Sequence, residues 1–484
     1  MEYIHMFFDT INALTWDWAL VPMLIVFGLL FTAVGGFAQV RYFGRMFNVF
    51  RSEKESHDPD AVSSRQALLV SIGGRVGGGN IAGVAVAISL GGPGAVFWMW
   101  VVALIGMMTS IVECSLAQLY KRKEADGTYR GGPAHYILHG LGKDYRWLAV
   151  IYAISLTLSF SIGFNAFQGN TVAGAALDSL GIDRLYTGIF LVVFGGAVIF
   201  GGIKRIAKAS DIIVPIMSLI YILLALIVIV MNITEIPALI VTVVKNAFGI
   251  DPVVGGGMGI AISQGMRRGL FSNEAGLGSA PNVAATAKAN HPVSQGISQA
   301  LSVFIDTIII CSATAFIILL GDVYQPGAAI DGVVLTQQSL VGHFGNWVSY
   351  LLTFSILLFS FSSIIYNYYM GENGVSFLAG NGEKAKIPVF ILRLAVIAVL
   401  FLGAVAPGAT DVFFFSDPLM GILALTNLLA LIMLFPRAVK LLKDYRNQLD
   451  AGIEEPIFDA QKYERLDIDA DAWEHTIDKP IVIK

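Results

Sequence analysis

Gly73-Gly74-Arg75-Val76-Gly77-Gly78-Gly79-Asn80-Ile81-Ala82-Gly83 lies inside an apolar run, residues 66–90, long enough to cross a bilayer as a helix. Glycine costs a helix interior about 1 kcal/mol relative to alanine, and three stand side by side at Gly77, Gly78 and Gly79. Two readings compete. One is a glycine-rich face for close packing of membrane helices, but such motifs spread small residues over successive turns. Adjacent glycines point instead to a helix broken at Gly77–Gly79. Irregular backbone at membrane depth survives only where protein or a water-filled cavity satisfies it. The second half-helix, starting near Asn80, then aims free N–H groups and a positive dipole end into the protein, where they suit a carboxylate. Carbonyls freed near Gly74 and Gly77 suit Na+.

A second segment has the same character. Arg267-Arg268-Gly269-Leu270-Phe271-Ser272-Asn273-Glu274-Ala275-Gly276-Leu277-Gly278-Ser279-Ala280-Pro281 puts polar residues, glycines and a closing proline into an apolar run. Paired interrupted spans at corresponding positions are the best sequence pointer to a transporter site.

The rest of the chain sets the frame for these two. Of its 484 residues, 56% are hydrophobic and 14% charged, against about 25% charged in soluble domains. The formal net charge of −4 and the lack of a basic stripe exclude a nucleic-acid partner. Cys114 and Cys311, far apart in apolar runs, read as buried small hydrophobes. Eleven apolar runs are expected to span: 18–39, 66–90, 95–119, 147–176, 186–203, 211–231, 250–284, 294–320, 345–370, 387–406 and 412–435. Lys and Arg concentrate in alternate loops, among them Arg41, Arg45, Arg51, Lys54 and Arg65, then Lys121–Lys123, and later Arg437–Arg446, while the opposite loops hold Arg184 and Lys245. The positive-inside rule then places the N-terminus outside and the C-terminus in the cytoplasm of a multi-pass inner (plasma) membrane protein bathed in lipid.

The expected organisation is therefore an all-α membrane protein. An added first helix occupies residues 1–40, one set of five spans residues 66–231, a second set residues 250–435, and an acidic cytoplasmic tail, flexible or docked on the surface, residues 447–484. Each set begins with an interrupted span. Four helices between them make the two sets enter the membrane from opposite sides, as an inverted repeat does.

Ionisable residues inside spans default to functional roles. Arg75 could pair with Glu113 or Glu274 as a gate, or brace the bundle. Asp306 is a candidate proton or cation site, or a buried structural carboxylate. Gln168 suits a substrate contact or a helix–helix hydrogen bond. Ser362 and Ser363 offer hydroxyl oxygens near midspan, although membrane serines often bond back to their own helix.

The two interrupted segments also carry a resemblance. Gly77-Gly78-Gly79-Asn80-Ile81-Ala82-Gly83-Val84, followed by Leu90-Gly91-Gly92-Pro93-Gly94-Ala95-Val96-Phe97-Trp98-Met99-Trp100, resembles the alanine/glycine:cation symporter family. So do Phe271–Pro281 and Gly131-Gly132-Pro133. The resemblance covers residues 10–440 and implies a LeuT-type fold: a five-plus-five inverted repeat with an extra N-terminal helix. It implies uptake of alanine or glycine driven by Na+, with no cofactor. By position it assigns Gly77, Gly78 and Gly79, beside Asn80, to the substrate carboxylate. Phe271, Ser272, Asn273 and Glu274 fall to the amino group and the pocket wall, and Gly74, Gly77, Ser362 and Ser363 to Na+. Two departures stand out: Gly78 where many members have threonine, and Tyr366-Asn367 where many have Gly-Trp.

The mechanism expected is symport by alternating access. The near alternatives are a proton-coupled cycle through Glu274 or Asp306 and an amino-acid carrier of another substrate, and a channel is the alternative from another class. Channels favour symmetric pore-lining rings, which two unlike interrupted helices in one chain do not provide. No nucleophile elbow, metal cluster or cofactor fingerprint suggests an enzyme.

Overall fold

Ser63 caps the first interrupted helix: its hydroxyl accepts from Gln66 N, and the Gln66 side chain answers to the Ser63 backbone. The computed structural model describes residues 8, 10–50, 62–124, 127–201, 203–250, 257–326, 332–380 and 383–476. Arg51 and Lys54, the start of the 250–284 run and the last eight residues of the tail lie outside the described residues.

The fold is all-helical apart from a two-residue hairpin. In chain order the helices are α1 (Thr10–Val34), α2 (Ser64–Arg75), α3 (Gly79–Gly91), α4 (Gly94–Leu119), α5 (Lys143–Leu180), α6 (Arg184–Gly201) and α7 (Ile203–Met231). Then follow α8 (Ile236–Ala247), α9 (Gly257–Asn273), α10 (Ser279–Ala284), α11 (Pro292–Leu319), α12 (Gly332–Phe344), α13 (Trp347–Ala379), α14 (Glu383–Val405) and α15 (Ala409–Asp450). The hairpin pairs Arg122–Lys123 with Tyr129–Arg130.

A helix stands over each apolar run expected to span. By length and apolarity seven qualify among the described residues to cross a membrane, or up to nine when each bent pair counts as one span. The shortfall from eleven has physical causes. α6 is short, and the 250–284 run is split between α9 and α10. Among the described residues some helices were not expected, including the short Pro133–Leu141 as well as α8 and α12. α8 turns 105° from α7 and buries one face, Val243, Asn246 and Ala247. α12 runs thirteen residues from Gly332 to Phe344. None of these is long enough to span.

Packing divides the helices into two groups. α4 lies along α9 and α11, with α3 against α9. α5 lies along α13 and α14, with α6 against α14. The peripheral helices expose apolar side chains such as Leu29 on α1, Val193 on α6 and Ile391 on α14. A surface of that kind fits lipid.

The tail is docked. Asp467 accepts from Arg122 and His139, both at 2.6 Å, and Lys123 N donates to Asp469 at 2.8 Å. Phe458 N donates to the Asn290 carbonyl at 2.9 Å, and Phe458 and Trp473 are buried. Trp473 and Tyr129 flank the Lys121 ammonium, 4.3 and 4.4 Å from the ring centres. Burial, with Lys288 nearby adding repulsion, pushes the Lys121 amine down to about 7.

Candidate functional site at two helix breaks

α2 ends at Arg75, Val76 is extended (φ −71°, ψ 100°), and α3 leaves at 52° to α2. The break therefore falls at Val76–Gly78, one residue earlier than the expected Gly77–Gly79 and sharing Gly77 and Gly78 with it. The Asn80 side chain closes it: Gly77 N donates to Asn80 Oδ1 at 2.9 Å. The second break runs from Glu274 to Gly278. Glu274 (φ +57°), Gly276 (+97°) and Gly278 (+82°) all sit in the left-handed region. For glutamate that costs on the order of 1 kcal/mol or more.

The two breaks touch. A Cβ at Gly79 would lie 3.4 Å from Ser272 Cα and from Phe271 Cδ1. Asn80 Nδ2 donates to Ser272 Oγ at 3.0 Å and to Asp306 Oδ1 at 2.6 Å. Asp306 Oδ2 also accepts from Ser272 (2.9 Å) and Thr307 (2.8 Å). All four residues are buried. An Asp306 carboxylate thus gathers three donors between the breaks. Wide π-helical turns border this place on three sides, at Gly79–Gly83, Ser159–Phe164 and Phe304–Cys311, a feature that recurs at functional sites.

α5 supplies the next wall. Gln168 Oε1 accepts from Gly78 N at 3.2 Å. A Cβ on Gly78 would fall 2.9 Å from Thr171 Oγ1 and 3.1 Å from both Gln168 Oε1 and Phe167 Cε1. The space of the missing side chain is therefore filled by α5. Phe164 stacks on Phe271 at 4.3 Å, and Phe413 meets Phe167 (4.5 Å) and Phe271 (4.9 Å), closing an aromatic layer over the breaks.

The expected Na+ residues also come together. Ser363 Oγ donates to the Gly74 carbonyl at 3.1 Å and would be struck by a Cβ on Gly77, while Ser362 Oγ lies 3.2 Å from the Cβ position of Gly73. Tyr366 lays its ring against Gly74 and donates its hydroxyl to Glu274 at 3.0 Å. Asn367 bonds Asn165 at 3.2 Å.

The gate expected of Arg75 takes a different form. Among the described residues Arg75 makes no ion pair. It donates to Ser302 and leaves Nε and Nη2 without a partner. Both carboxylates are engaged elsewhere. The left-handed turn carries Glu274 toward Ser279 and Tyr366, and Glu113 accepts from Gly276 N (3.2 Å) and Asn427 (3.0 Å). Asn273 likewise serves the second break, accepting from Ala275 N and donating to Thr307.

Sequence reading passed over a buried pair beyond the aromatic layer. Arg268 on α9 bonds Asp417 on α15, with its guanidinium 3.6 Å from the Phe413 ring centre. The signal was present: both are ionisable residues in apolar runs.

The chain matches the sodium:alanine symporter family over residues 1–460. It belongs to that family.

Among its relatives in the family, the amino-acid carrier protein AlsT of Bacillus subtilis is 47% identical over 93% of this chain and 94% of that one. The probable sodium/glutamine symporter GlnT of the same organism is 46% identical over 92% and 91%. The sodium/alanine symporter AgcS of Methanococcus maripaludis is 36% identical over 90% and 95%. Membership of the sodium:alanine symporter family makes the chain a multi-pass membrane transporter coupled to a cation, and not an enzyme.

Proposed function

We propose that the chain imports small neutral amino acids, alanine and glycine, together with Na+ by alternating access through a LeuT-type pair of inverted five-helix repeats. One observation carries the reading: two interrupted helices meet through Asn80, Ser272 and Asp306 at a buried polar point. The zwitterion lies between the breaks, its carboxylate at the start of α3 beside Gly78, Gly79 and Gln168, its ammonium facing the Phe271–Ser272 edge. Na+ takes the Gly74 and Gly77 carbonyls with Ser362 and Ser363. Asp306 is the second cation seat, and in a proton-coupled cycle it is the group that titrates. A zwitterion carries no net charge, so the membrane potential acts on the ion, at about 2.3 kcal/mol per charge per 100 mV.

A second substrate is favoured by one fact: a relative named as a sodium/glutamine symporter is 46% identical. Uptake of labelled alanine into proteoliposomes, with a Na+ gradient against a choline control at fixed pH, tests the proposal. Uptake only with Na+, competed by glycine, supports it. Stronger competition by glutamine moves the substrate to the larger amide. Stimulation by protons alone overturns Na+ coupling, and unsaturable flux without counterflow indicates a channel.

A further inference from the structure

We propose that α1, which lies outside the paired repeats, is a brace on the gate beyond the aromatic layer, with Trp16 and Asp17 as its positioning residues. The inference rests on the alternating-access reading, because a gate must open. The gate is the Arg268–Asp417 pair. Its guanidinium lies over Phe413, which touches Phe167 and Phe271 at the site.

The pair is a weak lock by itself. Both residues are buried, and Arg267 adds only a long 3.9 Å contact to Asp417 Oδ2, yet Arg268 Nε and Nη1 and Asp417 Oδ1 have no hydrogen-bond partner. A buried ion pair regains little more than its desolvation cost unless the remaining donors and acceptors are also satisfied. Opening the gate to water returns hydration to those three atoms. Something else must hold α9 against α15.

α1 grips both. Asp17 Oδ1 accepts from Ser263 (2.7 Å) and Arg267 (2.8 Å), both on α9. The neighbouring Trp16, buried, donates its indole N–H to the Asp417 carbonyl on α15 at 2.9 Å, and its ring lies 5.6 Å from the Arg267 guanidinium. A Cβ on Gly421 would fall 3.0 Å from Thr15 Oγ1 and 3.1 Å from Trp16 Nε1, so this glycine lets α1 approach α15 closely. Consecutive residues on one helix thus bind the two sides of the gate. Separating α9 from α15 breaks one of these contacts.

The chain's own thiols test the brace. Cys311 lies at the site, with its sulfur 3.2 Å from Ser272 Oγ, and the other cysteine is Cys114. In a C114A background, Cys311 is labelled with a membrane-impermeant thiol reagent on intact cells, and half-saturating external Na+ is measured for alanine uptake. D17N and W16F each speed labelling about threefold and lower half-saturating Na+ by a similar factor, the range that one partly exposed ion pair or one neutral hydrogen bond supplies. D17E restores both values, which a general folding defect would not, and S263A shows part of the effect. Unchanged labelling and unchanged Na+ saturation in both D17N and W16F overturn the brace. A parent chain that takes up no amino acid with Na+, but whose labelling still responds to D17N, overturns the substrate and ion assignment and leaves the opening gate and its brace standing.

Discussion

The Asn80 carboxamide and the Asp306 carboxylate lie 226 positions apart in sequence and 2.6 Å apart in space. Asn80 also closes its own break by accepting from Gly77 N. One side chain therefore ties the geometry of the first interrupted helix to the charge on α11. In the proposed cycle, filling of a cation seat at Asp306 and ordering of the break are linked through it.

Asp306→Asn tests that link. The carboxylate accepts from Asn80, Ser272 and Thr307, whereas an amide keeps one acceptor oxygen for Asn80 and sets an NH2 where the two hydroxyls now donate. Losing a charge-assisted bond costs roughly 1.5–3 kcal/mol, so half-saturating Na+ for alanine uptake rises by about tenfold or more. In a proton-coupled carrier the same variant flattens the pH dependence of uptake. A wild-type Na+ curve in Asp306→Asn removes this residue from the coupling site.

Gly78 gives a prediction about shape. Its missing side chain faces Thr171, Gln168 and Phe167 at distances a Cβ cannot share without a shift. Gly78→Thr alone displaces Gln168 from Gly78 N and raises the KM for alanine by roughly tenfold, about 1.4 kcal/mol. Adding Thr171→Ala clears the nearest obstacle and moves a hydroxyl from α5 to the break, so the double variant recovers most of the loss. Full activity in Gly78→Thr alone would show that the contact yields freely.

How much of this was legible follows from the kind of signal involved. The breaks were readable because clustered glycines in an apolar run violate helix propensity locally. The proximity of Gly74 to Ser363 followed from the family resemblance. The Arg75 partner did not, because it depends on where Glu274 points, and that direction is set by a left-handed backbone at a non-glycine residue. Arg268 and Asp417 were visible as intramembrane charges, but their pairing joins helices distant in sequence. α8 and α12 were missed because short helices lack the length by which spans are recognised. For the tail, composition left open whether it was flexible or docked. Its buried Trp473 and Phe458, with the ion pairs of Asp467, are tertiary facts.

Tail docking has a pH signature. Lys121, covered by Trp473, is pushed down to about 7 by burial, against ~10.4 for a free lysine. Undocking uncovers the Trp473 side of the amine, which stays against Tyr129, Gln118 and the Ala287 carbonyl, and so lets it hold more protons over part of the range between those values. Docking therefore strengthens as pH rises from about 7 into that range. Hydrogen exchange around Trp473 should slow over this window, and Lys121→Met should remove the slope. Asp467 acts at the other end. The bonds from His139 and Arg122 outweigh its burial and hold it below the usual carboxylate range. Its contribution is present above ~4 and lost as pH falls through its lowered value. Because Asp467 is largely exposed, Asp467→Asn weakens docking only modestly at neutral pH.

Ser363→Ala asks whether the chain has one cation seat or two. The Ser363 hydroxyl reaches the Gly74 carbonyl on the α2 side of the first break, whereas Asp306 faces Asn80 on the α3 side. Removing one neutral hydroxyl ligand costs about 1 kcal/mol, so half-saturating Na+ rises roughly fivefold. The pairing with Asp306→Asn is the informative step. Two separate seats, each needed for transport, give losses that add in free energy, so the fold-changes multiply. A single seat shared by both groups gives a double variant little worse than Asp306→Asn alone. The Hill slope separates the cases independently: two ions give a sigmoid Na+ curve in the parent chain, and weakening one seat far below the other makes that curve nearly hyperbolic. A hyperbolic parent curve with non-additive losses would leave one ion, and would assign the Gly74–Ser363 contact to holding the break.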